Sequence, residues 1–193
     1  MSLHQVDIPE GAAGAWTVQR FTISEDDARL DQMRCAFTFS GGGVRRAVRP
    51  GTFTRLMRGR TVVMSDTHAE RFDHLEPVRR ATGSVLINGL GIGVVLRNVL
   101  AKEDVTDVTV IELSPDVISL VAPHYDDPRV TIIQSDAMTC KPPKGKRYQV
   151  VWHDIWDYIC ADNLPDMHKL HRRYGRIADW QGSWCRRECE RGR

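Results

Sequence analysis

The stretch from Ser84 to Leu100, SVLINGLGIGVVLRNVL, constrains the fold more than any other part of the chain. It opens with a short apolar and β-branched run, Val85-Leu86-Ile87, of the kind that lies inside a parallel sheet with both faces covered. Gly89, Gly91 and Gly93 follow at spacing two, which lets the backbone turn sharply and lets a ligand approach main-chain N–H groups. Apolar residues then recur at helical spacing. The stretch predicts a buried strand, a turn that can hold a ligand, and a helix.

The next apolar run indicates what that ligand is. Residues Val108 to Glu112 form a strand pattern that ends in a carboxylate about 20 residues after the glycines, where nucleotide-binding α/β folds place an acid against ribose hydroxyls. Two further runs, Val130–Ile133 and Tyr148–Trp152, extend the predicted parallel sheet. Ligands of such sheets bind beyond the carboxyl ends of the strands. We therefore expect a nucleoside site there; a glycine turn that serves only as a connection is the alternative.

The glycine spacing is G-x-G-x-G, which argues against the G-x-G-x-x-G pattern of NAD-binding folds. Four segments resemble the class I S-adenosylmethionine-dependent methyltransferases and, within that clan, the spermidine synthases (aminopropyltransferases): VLINGLGIGVVLRNVL, VTVIELSPDVI, DPRVTIIQSDA and YQVVWHDIWD. The likeness runs from about Met64 to Tyr158. It implies an α/β fold with a Rossmann-like, doubly wound, mostly parallel sheet and a small N-terminal β/α appendage.

The resemblance also implies the cofactor, which is S-adenosylmethionine or its decarboxylated form. Glu112 would bind the ribose, and Asp136 with Ala137 would bind the adenine, the acid accepting from the exocyclic amine. A plain helix N-cap is the alternative role of Asp136. The residues expected to bind the cofactor are Asn88, Gly89, Leu90, Gly91, Gly93, Glu112, Leu113, Asp136 and Ala137.

Two carboxylates three residues apart follow the strand that ends near Trp152. Such a pair suits the binding of a cation or the removal of a proton from an amine or hydroxyl. Spermidine synthases have Asp-x-x-Asp here, and the resemblance implies that Asp154 deprotonates the attacking amine while Asp157 holds the polyamine. His153 is an alternative base, because the unperturbed pKa of histidine lies near neutrality. Acids that only cap the next helix are the remaining interpretation.

Departures from the family pattern shift the expected reaction. The aminopropyltransferase glycine loop carries an acid where Ile92 stands in this chain. The chain also ends before the last two strands of a full class I domain. We therefore predict a methyltransferase of the spermidine synthase-like branch. The alternatives are an aminopropyltransferase and a catalytically inactive nucleoside-binding or scaffold protein.

Local patterns suggest an organisation into an appendage, residues 1–64, and a Rossmann-like domain, residues 65–193. The appendage should contain a loosely ordered start, a strand, a helix, a flexible linker at Ser40–Gly43 and a hairpin. The domain should open with one helix over 65–80 that exposes His68 and His74. A helix over 164–174 and a strand or extended edge over 175–184 should end it.

Composition limits the partners. The 27 Lys and Arg residues nearly balance 25 Asp and Glu residues, so the net charge implies no polyanion partner. The arginines between positions 45 and 60 are interpreted as a solvated rim, and a surface that binds nucleic acid or phosphate is the alternative. Five cysteines without a regular framework, and no targeting or membrane-spanning run, predict a cytoplasmic protein. The acceptor is expected to be a small molecule, with an amine as one candidate, and a homo-oligomer is left open. No metal site is predicted, because His168, His171, Cys185 and Cys189 match no standard zinc spacing.

Overall fold

A computed structural model describes residues 2–37 and 48–192 of the chain. The expected linker at Ser40–Gly43, and Arg45 and Arg46 of the expected rim, lie outside these residues.

The first half of the chain forms a four-stranded antiparallel sheet in the order β1-β2-β3-β4. Helix α1, Glu25–Phe37, follows the second strand and begins after Ser24, whose hydroxyl accepts a hydrogen bond from the Asp27 amide. The last two strands form the hairpin expected from the sequence. The strands are β1 Gly11–Ala13, β2 Trp16–Ile23, β3 Gly51–Arg58 and β4 Thr61–Ser65.

The second sheet has five parallel strands in the order β7-β6-β5-β8-β9, which is the predicted Rossmann-like arrangement. Its strands are β5 Gly83–Asn88, β6 Val105–Glu112, β7 Val130–Gln134, β8 Tyr148–His153 and β9 Ala178–Ser183. The remaining helices are α2 His68–Asp73, α3 Leu75–Arg80, α4 Val94–Leu100, α5 Pro115–Val121, α6 Leu164–Tyr174 and α7 Arg186–Arg191. None of the helices in the described part of the chain is long and apolar enough to cross a membrane.

Both faces of the parallel sheet are covered. Because side chains alternate along a strand, Val85 and Ile87 pack into a core with α3, α4 and α5, whereas Leu86 packs with α6 on the opposite face. On the first face, Trp152 and Trp180 stack with ring centroids 6.3 Å apart and planes at 6°. Gly182 leaves room for this stack, since a Cβ there would lie 2.6 Å from the Trp180 ring.

Two local expectations were wrong. The single helix over 65–80 is two helices that meet at His74, and this histidine is fully buried rather than exposed. The start of the chain is also well packed, because Val6 is buried and its N–H donates to the buried carboxylate of Asp66 at 3.1 Å. The same carboxylate accepts from the Thr54 N–H at 2.7 Å, so it joins the N-terminal segment to the antiparallel sheet.

Candidate active site

A cavity of about 160 Å³ lies at the carboxyl ends of strands β5, β6, β7 and β8, and the antiparallel sheet covers it; we name it the central cavity. One wall follows the parallel strands, and the sequence-predicted residues on it are Gly89, Gly91, Glu112, Leu113, Asp136, Ala137, Asp154 and Asp157. The opposite wall consists of Trp16, Leu56, Arg58, Val63 and Met64.

The glycine bend is held in a conformation that other residues rarely adopt. The φ angles of Gly89, Gly91 and Gly93 are 98°, 53° and 77°. A Cβ at Gly89 would overlap the carbonyl oxygen of Asp154, which places the bend directly against the end of β8. The Tyr125 hydroxyl supports the bend from the other side, 3.1 Å from the carbonyl oxygens of Ile92 and Gly93.

Glu112 joins the bend to the next strand. One oxygen of its carboxylate accepts from the Leu90 N–H and the other from the Ser114 N–H, both at 2.8 Å. The acid predicted to bind a ribose therefore lies beside the glycine bend and on the cavity wall. Leu90 itself is buried in the core and contributes its N–H to this contact.

Asp136 has the role of a turn cap and also lines the cavity. Its Oδ1 accepts from the Met138 N–H at 2.7 Å across a turn, and no described helix begins here, in contrast to the helix N-cap of the alternative interpretation. Arg173 of α6, which the sequence patterns did not single out, holds the same turn from outside. Its guanidinium donates to the carbonyl oxygens of Ala137 and Cys140 at 3.0 Å and to that of Met138 at 2.5 Å.

Asp154 lies at the cavity with its side chain only 9% exposed, and its Oδ2 is 3.6 Å from Nε2 of His74. Burial raises the pKa of Asp154 well above its usual value, and the negative charges of Glu70, Asp73 and Glu112 raise it further. Burial lowers the pKa of His74 to about 3. Asp154 is thus a carboxyl that binds its proton unusually strongly beside a neutral imidazole.

Asp157 makes an ion pair with Arg58 from the end of β3, across the mouth of the cavity. The Arg58 guanidinium also lies 5.4 Å from the centroid of the Trp16 ring. Arg58 therefore lines the site, and its side chain is also 51% exposed, in agreement with the interpretation of a solvated rim.

His153 and Asn88 point away from the cavity, which corrects the proposed roles of His153 as a base and of Asn88 in cofactor binding. They are paired on neighbouring strands, on the face covered by α6, with Asn88 Nδ2 and His153 Nδ1 2.7 Å apart. His153 Nε2 is 3.3 Å from Oε1 of Gln181, and burial lowers the pKa of His153 to about 3. Gly93 is also buried and caps α4 instead of lining the cavity.

Met64 fills part of the space in front of the bend. Its sulfur lies 3.4 Å from the Ile92 nitrogen, and a Cβ at Gly91 would overlap this sulfur. Because Met64 occupies this space, the cavity of about 160 Å³ is smaller than the roughly 300–1,000 Å³ usual for small-molecule sites. A methionine side chain has three rotatable bonds and adapts readily, so a change of the Met64 rotamer is the way in which this wall would make room for a nucleoside.

The charges on the cavity suit a cationic ligand. Four acidic side chains line it, those of Glu112, Asp136, Asp154 and Asp157, against the single guanidinium of Arg58. Because the raised pKa of Asp154 favours its neutral form, the excess of negative charge comes from the other three acids. Within residues 2–37 and 48–192, no group of three or more His, Cys, Asp or Glu side chains is placed to hold a metal ion.

Comparisons with known proteins give weak but related matches. No known protein-family profile matches the chain. Polyamine aminopropyltransferase 1 of Streptomyces coelicolor is 33% identical over 101 residues, which cover 47% of this chain and 18% of that protein. A proposed RNA methyltransferase of Pyrococcus horikoshii has a TM-score of 0.45 at 13% identity, over 59% of each chain. An S-adenosylmethionine-dependent methyltransferase of Clostridium acetobutylicum has a TM-score of 0.40 at 13% identity, over 52% of this chain and 40% of that chain.

The parallel sheet, its strand order and the segments that resemble the clan lie in the same region of the chain. The protein therefore has a Rossmann-like α/β fold, and the segments that resemble the S-adenosylmethionine-dependent clan form its parallel sheet.

Proposed function

We propose that the protein is an S-adenosylmethionine-dependent methyltransferase of the spermidine synthase-like branch. The observation that carries this proposal is the position of Glu112, which lies beside the glycine bend in a cavity lined by four acidic side chains and one guanidinium. A ribose-binding acid and an excess of negative charge suit a nucleoside that carries a sulfonium cation. They do not suit a pyrophosphate.

The cofactor, when bound, supplies an electrophilic methyl group. The bend from Gly89 to Gly93 and Glu112 would hold its amino-acid and ribose parts, and Asp136 with Ala137 would hold the adenine. Such a transfer depends mainly on alignment of the nucleophile with the methyl carbon.

Asp154 is the proposed general base. A carboxylate with a raised pKa takes a proton from an amine more readily than an exposed aspartate does. Only the ionised form can accept the proton, so turnover should rise with pH through the range in which Asp154 ionises.

Aminopropyl transfer is the second candidate. The identity with the Streptomyces aminopropyltransferase and the Asp154-x-x-Asp157 pair favour it. Two features favour methyl transfer: the Ile92 side chain is fully buried in the core, and Asp157 is already paired with Arg58. A second cationic group of a polyamine would have to displace that guanidinium.

Two broader features are also part of the proposal. We propose that residues 1–64 form an appendage whose hairpin covers the cavity of the domain at 65–193. Among the described residues, Cys140, Cys160 and Cys189 are free thiols, which supports a reducing, cytoplasmic compartment.

Calorimetric titration separates the candidates. S-adenosylmethionine, its decarboxylated form and methylthioadenosine should each be titrated into the folded protein. We expect heat with S-adenosylmethionine. Binding of the decarboxylated form alone would favour aminopropyl transfer, and no heat with any of the three would remove both enzymatic functions.

Asp154→Asn tests the base. We expect turnover to fall at least 100-fold, the usual contribution of general base catalysis, with cofactor affinity unchanged. Because the buried carboxyl of Asp154 has a raised pKa, ionising it destabilises the fold as pH rises, so the variant should be more stable than the parent at pH 8. Asp162→Asn, an exposed change outside the cavity, is the control. Equal turnover in the two variants would contradict the role of Asp154.

A further inference from the structure

A second concavity of about 390 Å³ opens beside the central cavity; we name it the side groove. It lies between β4, the start of α2, the loop after β8 and Trp184. Val63, Met64 and Asp157 line both spaces, so the two lie next to each other. A molecule in the side groove would therefore adjoin a cofactor in the central cavity.

The walls of the side groove expose large apolar side chains. Val62 is 47% exposed, Tyr158 66% and Ile159 38%, and these are three of the seven large hydrophobic residues that are most exposed in the described part of the chain. Such residues gathered in a concave surface are typical of a binding site for an apolar group.

The charged groups of the side groove are both acidic. They are Glu70, whose Oε2 accepts from the Ser65 N–H at 2.7 Å, and Asp157. No lysine, arginine or histidine of the described residues lines the groove. Asp157 is paired with Arg58 and Glu70 accepts from Ser65, so the groove gives an anion no cationic group in its lining and gives a protonated amine two neighbouring carboxylates.

Trp184 adds a further polar feature. It is 8% exposed and lines the groove, and its indole N–H has no hydrogen-bond partner among the described residues.

We propose that the side groove binds the methyl acceptor, and that this acceptor is a small monoamine with an aromatic or branched aliphatic body. The inference rests on the proposed function. The apolar body would pack on Val62, Tyr158 and Ile159, and the nitrogen would face Asp154 past Met64. A linear diamine fits less well, because its second ammonium would lie against these apolar walls or compete with Arg58 for Asp157.

The proposed reaction moves one proton and one methyl group. Ionised Asp154 takes one proton from the ammonium, the nitrogen lone pair forms the N–C bond, and the S–C bond breaks with its electron pair left on sulfur. The sulfonium becomes a neutral thioether, and the methylated amine leaves as a cation.

Binding of probe amines to the full chain tests the inference without requiring turnover. Saturation-transfer NMR with 2-phenylethylamine should show binding, and 1,4-diaminobutane and 3-phenylpropionate should bind at least tenfold more weakly. The double variant Tyr158→Ser/Ile159→Ser should weaken phenylethylamine binding at least tenfold. The matched control Leu30→Ser/Met33→Ser changes two exposed apolar residues outside the groove and should leave binding unchanged.

The outcomes distinguish the inference from the proposed function. Equal binding of the diamine, equal effects of the two double variants, or no amine binding by a protein that binds S-adenosylmethionine would each overturn the inference alone. Amine binding without any heat from S-adenosylmethionine would support the groove as an amine site but overturn the proposed function, and with it the acceptor role.

Discussion

The two walls of the central cavity are built in different ways. The wall from the parallel sheet consists of turns that directly follow strands, and backbone N–H groups fix its carboxylates, as Leu90 and Ser114 fix Glu112. The wall from the antiparallel sheet consists of side chains that reach across, chiefly Arg58 and Met64. The first wall is therefore set by the backbone, and we name it the backbone-built wall. The second can change by rotation of side chains, and we name it the side-chain-built wall.

The largest effect should come from adding a single carbon to the backbone-built wall. Gly89→Ala introduces a Cβ that overlaps the Asp154 carbonyl oxygen, so we expect a loss of about 3 kcal/mol or more in the free energy of unfolding and no measurable binding of S-adenosylmethionine. Gly145→Ala is the matched control, because its φ of 81° is similar and nothing lies near its Cβ. Urea denaturation and calorimetry provide the two measurements. Equal losses in both variants would show that the effect is backbone strain alone.

His153 and Asp154, at the end of β8, should change the free energy of unfolding with pH in opposite directions. Burial lowers the folded-state pKa of His153 to about 3, so only the unfolded chain takes up this proton as pH falls below 6.5. Because of this histidine, the free energy of unfolding should fall by about 2 kcal/mol between pH 6.5 and pH 5, at about 1.36 kcal/mol for each pH unit. The pKa of Asp154 is raised in the folded state, so its contribution to the free energy of unfolding should fall as pH rises.

Denaturation of His153→Gln across this pH range measures that cost. The variant should lose less stability on acidification than the parent, and an identical pH dependence would contradict the assignment.

Arg173 tests whether support from behind the backbone-built wall matters for binding. Arg173→Met removes three hydrogen bonds to the carbonyl oxygens of residues 137, 138 and 140, and we expect cofactor affinity to fall about tenfold as the Asp136 turn loosens. Arg172→Met changes an exposed neighbour on the same helix and should have no effect on calorimetric affinity. A loss in the control as large as in Arg173→Met would assign the effect to net charge.

The smallest effect should come from the side-chain-built wall. Met64→Leu nearly conserves volume, which limits its cost to less than about 1.5 kcal/mol of stability. Leucine rotates out of the way less easily than methionine, so we expect about threefold weaker binding of S-adenosylmethionine by calorimetry. A loss beyond tenfold would show that the second wall is as rigid as the first.

The same contrast explains what could be predicted from the sequence. The strands, the glycine bend and the acids at the strand ends are local patterns, and they indicate Glu112 and Asp154, whereas Asp136 was indicated by the resemblance to a known family. The ion pair between Arg58 and Asp157 joins residues 99 positions apart, so no local pattern indicates it.

The wrong predictions for His153 and for the helix over 65–80 both have a contrary signal in the sequence. Side chains alternate along β8, so with Trp152 facing α3, His153 must face α6. A proline is tolerated in the first turn of a helix, so Pro77 indicated that a helix begins near Leu75 and that His74 lies at a break.

The stacked pair of Trp152 and Trp180, 6.3 Å apart and nearly parallel, joins strand β8 to the edge strand β9. Two indole rings so arranged couple their electronic transitions, which changes their near-ultraviolet circular dichroism from that of separate chromophores. The protein thus carries an intrinsic optical signal for the attachment of its edge strand, and this signal can be followed without any label.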